Sequence, residues 1–370
     1  MEMKLSNIGI CIAVISLSAT GWGKGPVKNN KGPDHNIVEM MSPGINLGNT
    51  LEAIPAETSW GNPIPTETYM RAVRKAGFRS IRIPVAWSQY TDANGAIRTS
   101  WLDHIRDVVK MATKSDLYAM VNVHWDGGWM QPTYAQQDKV NKKLQKFWTQ
   151  IAASLQDFDD HVLFAGTNEV GVAGVYSAPT PENAEVQNSF NRTFVDAVRA
   201  TGGNNRSRYL VVQAYNTDID NAVKVNLTVP KDVVKGRLIM EVHYYSPYDF
   251  TLNDKSAIWQ WGAAATNPAA TETWANEAYV DTQFQKMKSA FVDRGVPVIL
   301  GEYAAGLKQK YPGMNKYRLL WDEYITRSAV LHGMVPMLWD VGTQSGAIDR
   351  NTGKIQDPEL IQSVMTAAKK

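Results

Sequence analysis

The chain has 370 residues, 44% hydrophobic and 20% charged, enough apolar side chain for one large packed domain and unlike a disordered or fibrous protein. Lys plus Arg total 38 against 36 Asp plus Glu, a formal net charge of +2, which gives little long-range attraction for nucleic acid or an anionic membrane and suits a neutral ligand. The 12 Trp and 15 Tyr supply flat faces that stack on a ring while hydrogen-bonding at an edge, a surface that fits sugars.

In chain order, residues 1–22 read as a secretory signal peptide: Lys4 precedes an apolar stretch from Ile8 to Leu17, and small residues Ser18, Ala19, Thr20 and Gly21 follow. That stretch is too short to span a bilayer, and no later one reaches membrane length. The expectation is a secreted protein, extracellular or periplasmic, with no membrane attachment once the leader is removed. The single cysteine, Cys11, lies in the leader, which leaves the mature chain without disulfides or thiolate metal sites. Residues 23–40, rich in Gly, Pro, Lys and Asn, read as a flexible lead-in, and residues 41–370 as the folded domain.

Eight apolar or β-branched runs of strand length follow: Gly44 to Leu47, Ser80 to Pro84, Tyr118 to Val123, Val162 to Ala165, Tyr209 to Gln213, Leu238 to Val242, Pro297 to Gly301 and Met334 to Leu338. Their continuous apolarity predicts strands covered on both faces. Segments of helical period separate them, at Thr66 to Ala76, Trp101 to Ala112, Lys142 to Leu155, Ser189 to Ala200, Phe284 to Val292 and Tyr317 to Leu331, with Leu360 to Ala367 after the last strand. The crossover after the fifth run is weakest, with helical character only around Ile219 to Val223. Strand alternating with helix eight times predicts an α/β fold, a closed (β/α)8 TIM barrel in a single domain, with Gly127 to Asn141 and Ser246 to Thr273 as extended βα loops.

In such a barrel the residues at the strand ends line one mouth: Asn46, Arg82, His124, Asn168 with Glu169, His243 with Tyr245, Glu302 and Trp339. Taken singly, a glutamate after a strand is a solvated loop residue, a histidine is packed core and a tryptophan is filler. Converging on one mouth, they describe a site. Two carboxylates in an aromatic mouth fit glycoside hydrolysis, in which the departing oxygen needs a proton while a carboxylate or a water meets the cation-like sugar carbon. One glutamate must then hold a proton near neutral pH while its partner is ionised, and the sequence leaves open which neighbours separate them.

The strings Gly44-Ile45-Asn46-Leu47-Gly48-Asn49-Thr50-Leu51, Arg82-Ile83-Pro84-Val85-Ala86-Trp87, Val121-Asn122-Val123-His124, Asn168-Glu169, Val242-His243-Tyr244-Tyr245-Ser246-Pro247-Tyr248, Gly301-Glu302-Tyr303 and Trp339-Asp340 occur in this order and spacing. In these the chain resembles glycoside hydrolase family 5, the (β/α)8 retaining cellulases, and within it the bacterial endoglucanase and xyloglucanase group. The resemblance implies a metal-independent, cofactor-free, monomeric endo-β-1,4-glucanase acting on cellulose-type chains by double displacement. Xyloglucan or mixed-linkage β-glucan is the alternative substrate, and mannan a more distant one. It further implies that Glu169 is the acid/base and Glu302 the nucleophile, that Asn168 meets the 2-hydroxyl of the sugar under attack, and that Arg82 and Tyr245 hold Glu302 ionised. By the same resemblance His124 and His243 line the sugar site and Trp339 is its floor. Loop aromatics Trp60, Trp125, Trp129, Trp259 and Trp261 are candidates for a stacking track, whereas Trp101, Trp148 and Trp321 fall in helical patterns and are assigned to the core. Two departures stand out: Val170 follows the acid/base where the family usually has proline, and Trp125 stands where relatives often carry a second histidine.

The mouth's histidines and acids also fit a metal-dependent hydrolase, yet the chain has neither His-x-His on its first strand nor His-Glu-x-x-His anywhere. A non-catalytic sugar-binding protein would keep the aromatic cleft but would have no use for the paired carboxylates.

Overall fold

The computed structural model describes residues 35–224, 229–342 and 345–369. The leader and its Cys11 lie outside them. Eight strands, β1 (Gly44–Asn46), β2 (Ser80–Ile83), β3 (Tyr118–Asn122), β4 (Val162–Ala165), β5 (Leu210–Gln213), β6 (Leu238–His243), β7 (Val298–Tyr303) and β8 (Met334–Leu338), close into a barrel in sequence order. Every neighbouring pair is parallel, including β8 with β1. All eight strands are buried throughout, as their unbroken apolar runs require.

The helices are α1 (His35–Met41), α2 (Glu67–Ala76), α3 (Thr99–Lys114), α4 (Tyr134–Ser154), α5 (Pro181–Ala200), α6 (Ile219–Lys224), α7 (Tyr248–Thr251), α8 (Glu277–Ala290), α9 (Met314–Leu331) and α10 (Pro358–Ala367). Among the described residues none is long and apolar enough to cross a membrane. The helix beginnings are where sequence period misleads. Helix α4 starts eight residues before Lys142 and takes half of the loop expected at Gly127 to Asn141, because its first turns are solvent-facing and carry no apolar stripe. Helix α5 starts at Pro181 rather than Ser189. Thr180 and Asn183 form a reciprocal capping box there, and proline occupies the first turn, a start signal independent of hydrophobic period. Helix α8 likewise begins at Glu277, capped by the Asn276 side chain.

The lead-in expected over residues 23–40 gives way to α1 at His35. Ile37 and Met41 are buried against inward-facing residues of the barrel, including Tyr118, Met120, Leu163, Ile239 and Val335, and Met41 carbonyl accepts from Ser80 Oγ at 2.6 Å. The helix therefore stoppers the end of the barrel at which the strands begin.

Strands β6 and β7 run past the expected ends, so that His243 and Glu302 are strand residues. Val242 pairs with Leu300, but His243 pairs with Glu302, which leaves Gly301 unpaired in a bulge. A Cβ at Gly301 would lie 2.0 Å from Glu241 Oε1, so glycine is the residue the neighbouring strand admits.

Candidate active site

Alternate residues along each strand point into the barrel, and their character changes along its axis. The lower positions are apolar: Met120 on β3, Leu163 on β4, Val211 on β5 and Ile239 on β6, all buried. One inward step further on, β3, β5 and β6 present Asn122, Gln213 and Glu241, while β2 carries Arg82 one residue before its end; all four are fully buried. This polar layer supports the reacting groups above it.

Arg82 is its centre. Nη1 donates to Glu302 Oε1 at 2.8 Å and to Asn46 Oδ1 at 3.1 Å, Nη2 donates to Asn168 Oδ1 at 2.6 Å, and Nε lies 2.8 Å from Glu241 Oε1. The last contact is an ion pair rather than a well-directed hydrogen bond. Glu302 also accepts from the Tyr245 hydroxyl, at 3.1 Å to Oε2. His243 Nδ1 is 2.8 Å from Glu169 Oε1 and 3.7 Å from Glu302 Oε2. Carboxylate oxygens of Glu169 and Glu302 lie within 4.8 Å of each other and of a His243 ring nitrogen. These three side chains are close enough to share a metal ion, but the Arg82 guanidinium already occupies one Glu302 oxygen and opposes any cation there.

Burial and neighbouring charge work against each other here. Burial opposes the imidazolium of His243, yet Glu302, Glu169 and Glu241 outweigh it and lift the ring to about 9. Glu241 resists its own burial through Arg82 and His243, which hold it at about 2. Burial also opposes ionisation of Glu169, but the hydrogen bond from His243, with the charges of His243 and Arg82, keeps that acid below its ordinary value. In Glu302 burial prevails and raises the carboxyl, against His243 and Arg82. His124 is driven well down by burial and by Arg82, so it is neutral. Its Nδ1 accepts from Asn122 Nδ2 at 3.1 Å, because Asn122 Oδ1 is engaged by the Val85 amide. Nε2 consequently carries the proton of the neutral ring.

Two cavities meet at Glu169. One of about 460 Å³ is bounded by Glu302, Tyr245, Trp339 and Leu252. The other, about 480 Å³, has His124, Trp125, Met130, Val172 and Tyr176 on its walls. The His124 and Trp339 rings lie 15° from parallel with centroids 5.9 Å apart.

Sequence-predicted residues divide into those that face these cavities and those beneath them. Glu169, Glu302, Asn168, His124, Tyr245, Trp339 and Trp125 border the cavities, and Trp125 is 57% exposed. Asn46 and Arg82, expected at the mouth, lie beneath the cavities instead. Both are fully buried, and Asn46 Nδ2 is committed to the carbonyl oxygens of Gly301, Met337 and Leu338. Arg82 is bonded to Glu302 and Asn168, and Asn46 to Arg82. His243 is also buried and faces Glu169 and Glu302. Trp129 lies outside the walls of both cavities: its indole donates to Asp126 at 2.6 Å, Phe147 meets it edge-on and Lys143 covers one face. Trp261 is buried and bonded to the Ala275 carbonyl, and Trp259 stacks on Tyr311; neither borders the two cavities. Trp101, Trp148 and Trp321 are core, as expected. Sequence reading missed Glu241, Gln213 and Asn122. A period-two count along their strands would have found all three as polar residues at inward positions of apolar runs.

Residues 45–345 match the family model for cellulase, glycosyl hydrolase family 5. A xyloglucan-specific endo-β-1,4-glucanase of Bacteroides ovatus is 40% identical over 346 residues, covering 88% of this chain and 68% of that protein. Endoglucanase A of Paenibacillus barcinonensis is 38% identical over 89% of this chain and 88% of its own. Among solved structures, a family 5 xyloglucanase of Bacteroides ovatus in complex with a heptasaccharide superposes with a TM-score of 0.87 and 38% identity, over 90% of this chain and 76% of that one. A closed parallel barrel, paired glutamates at its mouth and these matches agree: the chain belongs to glycosyl hydrolase family 5, as a glycoside hydrolase of the endo-β-1,4-glucanase class.

Proposed function

We propose that Glu302 is the nucleophile and Glu169 the acid/base of a retaining double displacement. The observation that carries this reading is the approach of the two carboxylates to within 4.8 Å, which leaves no room for a water between them and the sugar, as inversion would require. Glu302 attacks the anomeric carbon while Glu169 protonates the departing oxygen. Glu169 then takes a proton from the water that frees the glycosyl-enzyme. At rest the proton to be delivered sits in the Glu169–His243 hydrogen bond, on a ring that stays charged to about pH 9. Once Glu302 is esterified its negative charge is gone, which lowers the proton affinity of its neighbours and readies Glu169 as a base. Asn168 is fixed by Arg82, with its amide nitrogen free to meet the sugar's 2-hydroxyl, and Trp339 supplies the stacking face beneath that ring.

The physiological substrate of this reading is an internal β-1,4-glucosidic linkage in a cellulose-type chain, and the enzyme works as an exported monomer. A second reading, xyloglucan as the preferred chain, is supported by the xyloglucan-specific relative at 40% identity. Initial rates on cellulose-type, xyloglucan, mixed-linkage and mannan chains distinguish the two. A 2-fluoro-substituted glucoside with a good leaving group tests the mechanism, because it should esterify one carboxylate and stay bound long enough for peptide mass analysis. The label is expected on Glu302; a label on Glu169, or none during slow turnover, refutes the assignment.

A further inference from the structure

We infer that Glu241, a third carboxylate buried beneath the reacting pair, is a positioning residue that fixes both of the cations through which Glu302 and Glu169 are held. The inference rests on the acid/base and nucleophile roles proposed above and extends them one layer into the barrel.

Glu241 is fully buried at an inward position of β6, directly above Ile239. A single oxygen, Oε1, faces Arg82 Nε at 2.8 Å and His243 Nε2 at 3.4 Å. Those two side chains turn their other nitrogens toward the chemistry: Arg82 Nη1 to Glu302, and His243 Nδ1 to Glu169. One carboxylate thus anchors both hydrogen bonds from behind. Its second oxygen accepts from Gln213 Nε2 at 2.6 Å on the paired strand. Gln213 cannot turn its amide over, because its own oxygen accepts from the Thr167 backbone nitrogen and hydroxyl, each at 3.0 Å. Around Glu241 there are therefore only donors and cations, and the site admits only an acceptor of negative charge.

Gly301 is the second sign of this arrangement. The absence of a side chain there makes room for Glu241 Oε1, and the same bulge carries Glu302. Two cations against Glu241, Glu302 and Glu169 leave the cluster one negative charge in excess, which is what keeps both nitrogens of His243 protonated and donating. Other titratable groups facing His243 are Tyr245, bonded to Glu302, and His124, neutral in its niche.

Glu241→Gln separates this role from simple packing. The amide preserves volume but has one acceptor oxygen and one NH2 group, which must face either Gln213 Nε2 or the two cations. Turnover is expected to fall on the order of 10²-fold, since displacing a reacting group by about 1 Å costs that much, with little change in KM. Both limbs of the kcat pH profile should move toward acid, because removing the negative charge weakens proton binding at His243, Glu169 and Glu302 alike. An unchanged profile, or a loss confined to thermal stability, overturns the inference. The unaltered enzyme provides a reading that does not depend on the variant folding: the nitrogen resonances of His243 should report a doubly protonated ring at pH 7.5, and a neutral ring there overturns the inference as well. Failure of the underlying roles has a different signature, namely an active Glu302→Ala enzyme.

Discussion

The barrel interior has two halves built by opposite rules. Toward α1, inward positions are occupied by Met120, Leu163, Val211, Ile239, Val335 and Met337, which need nothing from one another except shape. Toward the mouth, Asn46, Arg82, Glu241 and Gln213 satisfy one another's charges and hydrogen bonds, and Asn122 satisfies His124 beside them. The first half stabilises by about 25 cal/mol for each Å² of apolar area it removes from water. The second costs stability and returns geometry, because a buried charge is acceptable only with its partner in place. Mutations in the two halves should therefore fail in different ways.

The largest separation is expected from Glu302→Ala, which should lower kcat roughly 10⁴- to 10⁶-fold while thermal unfolding stays within a few degrees of the parent. Initial rates and a calorimetric scan on the same preparation check it. Glu169→Ala should cost comparably on a polysaccharide but far less on an aryl glycoside, whose leaving group departs without a proton, and a single ratio of kcat values measures the difference. Equal losses on both substrates would remove Glu169 from the acid role. Leu163→Ala lies in the other half and should invert the pattern, destabilising the fold by about 2–5 kcal/mol with kcat near parental at a temperature where the variant is folded. Denaturant titration gives that number.

Buried charges at the mouth and outside the barrel interior make stability depend on pH. His243, raised from 6.5 to about 9, contributes stability that is complete below 6.5 and lost as pH climbs through 9. Glu52 and Asp322, buried acids lifted to about 7, favour their protonated forms in the fold, so stability falls as pH rises from about 4 to 7. Glu241, held at about 2, acts in the other sense: its contribution is present above 4.5 and lost as pH falls toward 2. The unfolding temperature should therefore peak at about pH 4 and decline steadily to pH 9. A plateau across that range would contradict the assignment of these buried charges. The smallest effect is reserved for the rim, where Trp125→Ala should lower kcat/KM only about two- to tenfold, the worth of one stacking face of about 0.5–1.5 kcal/mol.

The reading frame of this fold lay open in the sequence because a strand buried on both faces has to be an unbroken apolar run, and eight such runs with helical period between them leave few other arrangements. Glu169 and Glu302 were legible because a charge beside such a run is conspicuous. Glu241 was not, since in Leu238 to Val242 it reads as one exception inside an apolar stretch, and only the inward alternation of β6 gives it a partner. The helix starts at Tyr134 and Pro181 were hidden for a different reason, as solvent-facing turns carry no hydrophobic period and are written in capping chemistry instead. Aromatic side chains were the least legible of all. Trp125 and Trp261 are both loop tryptophans, yet one is open to the cleft and the other bonded inside the fold, a distinction set by contacts far along the chain.

The measurement closest to the central claim is the proton NMR spectrum of a β-linked cello-oligosaccharide during the first minutes of hydrolysis, before the product anomers equilibrate. With Glu169 and Glu302 acting in two successive displacements, the newly released reducing end must appear first as the β-anomer and convert slowly to α. An α-anomer as the first product would mean a single displacement by water, and the paired-carboxylate mechanism would be wrong.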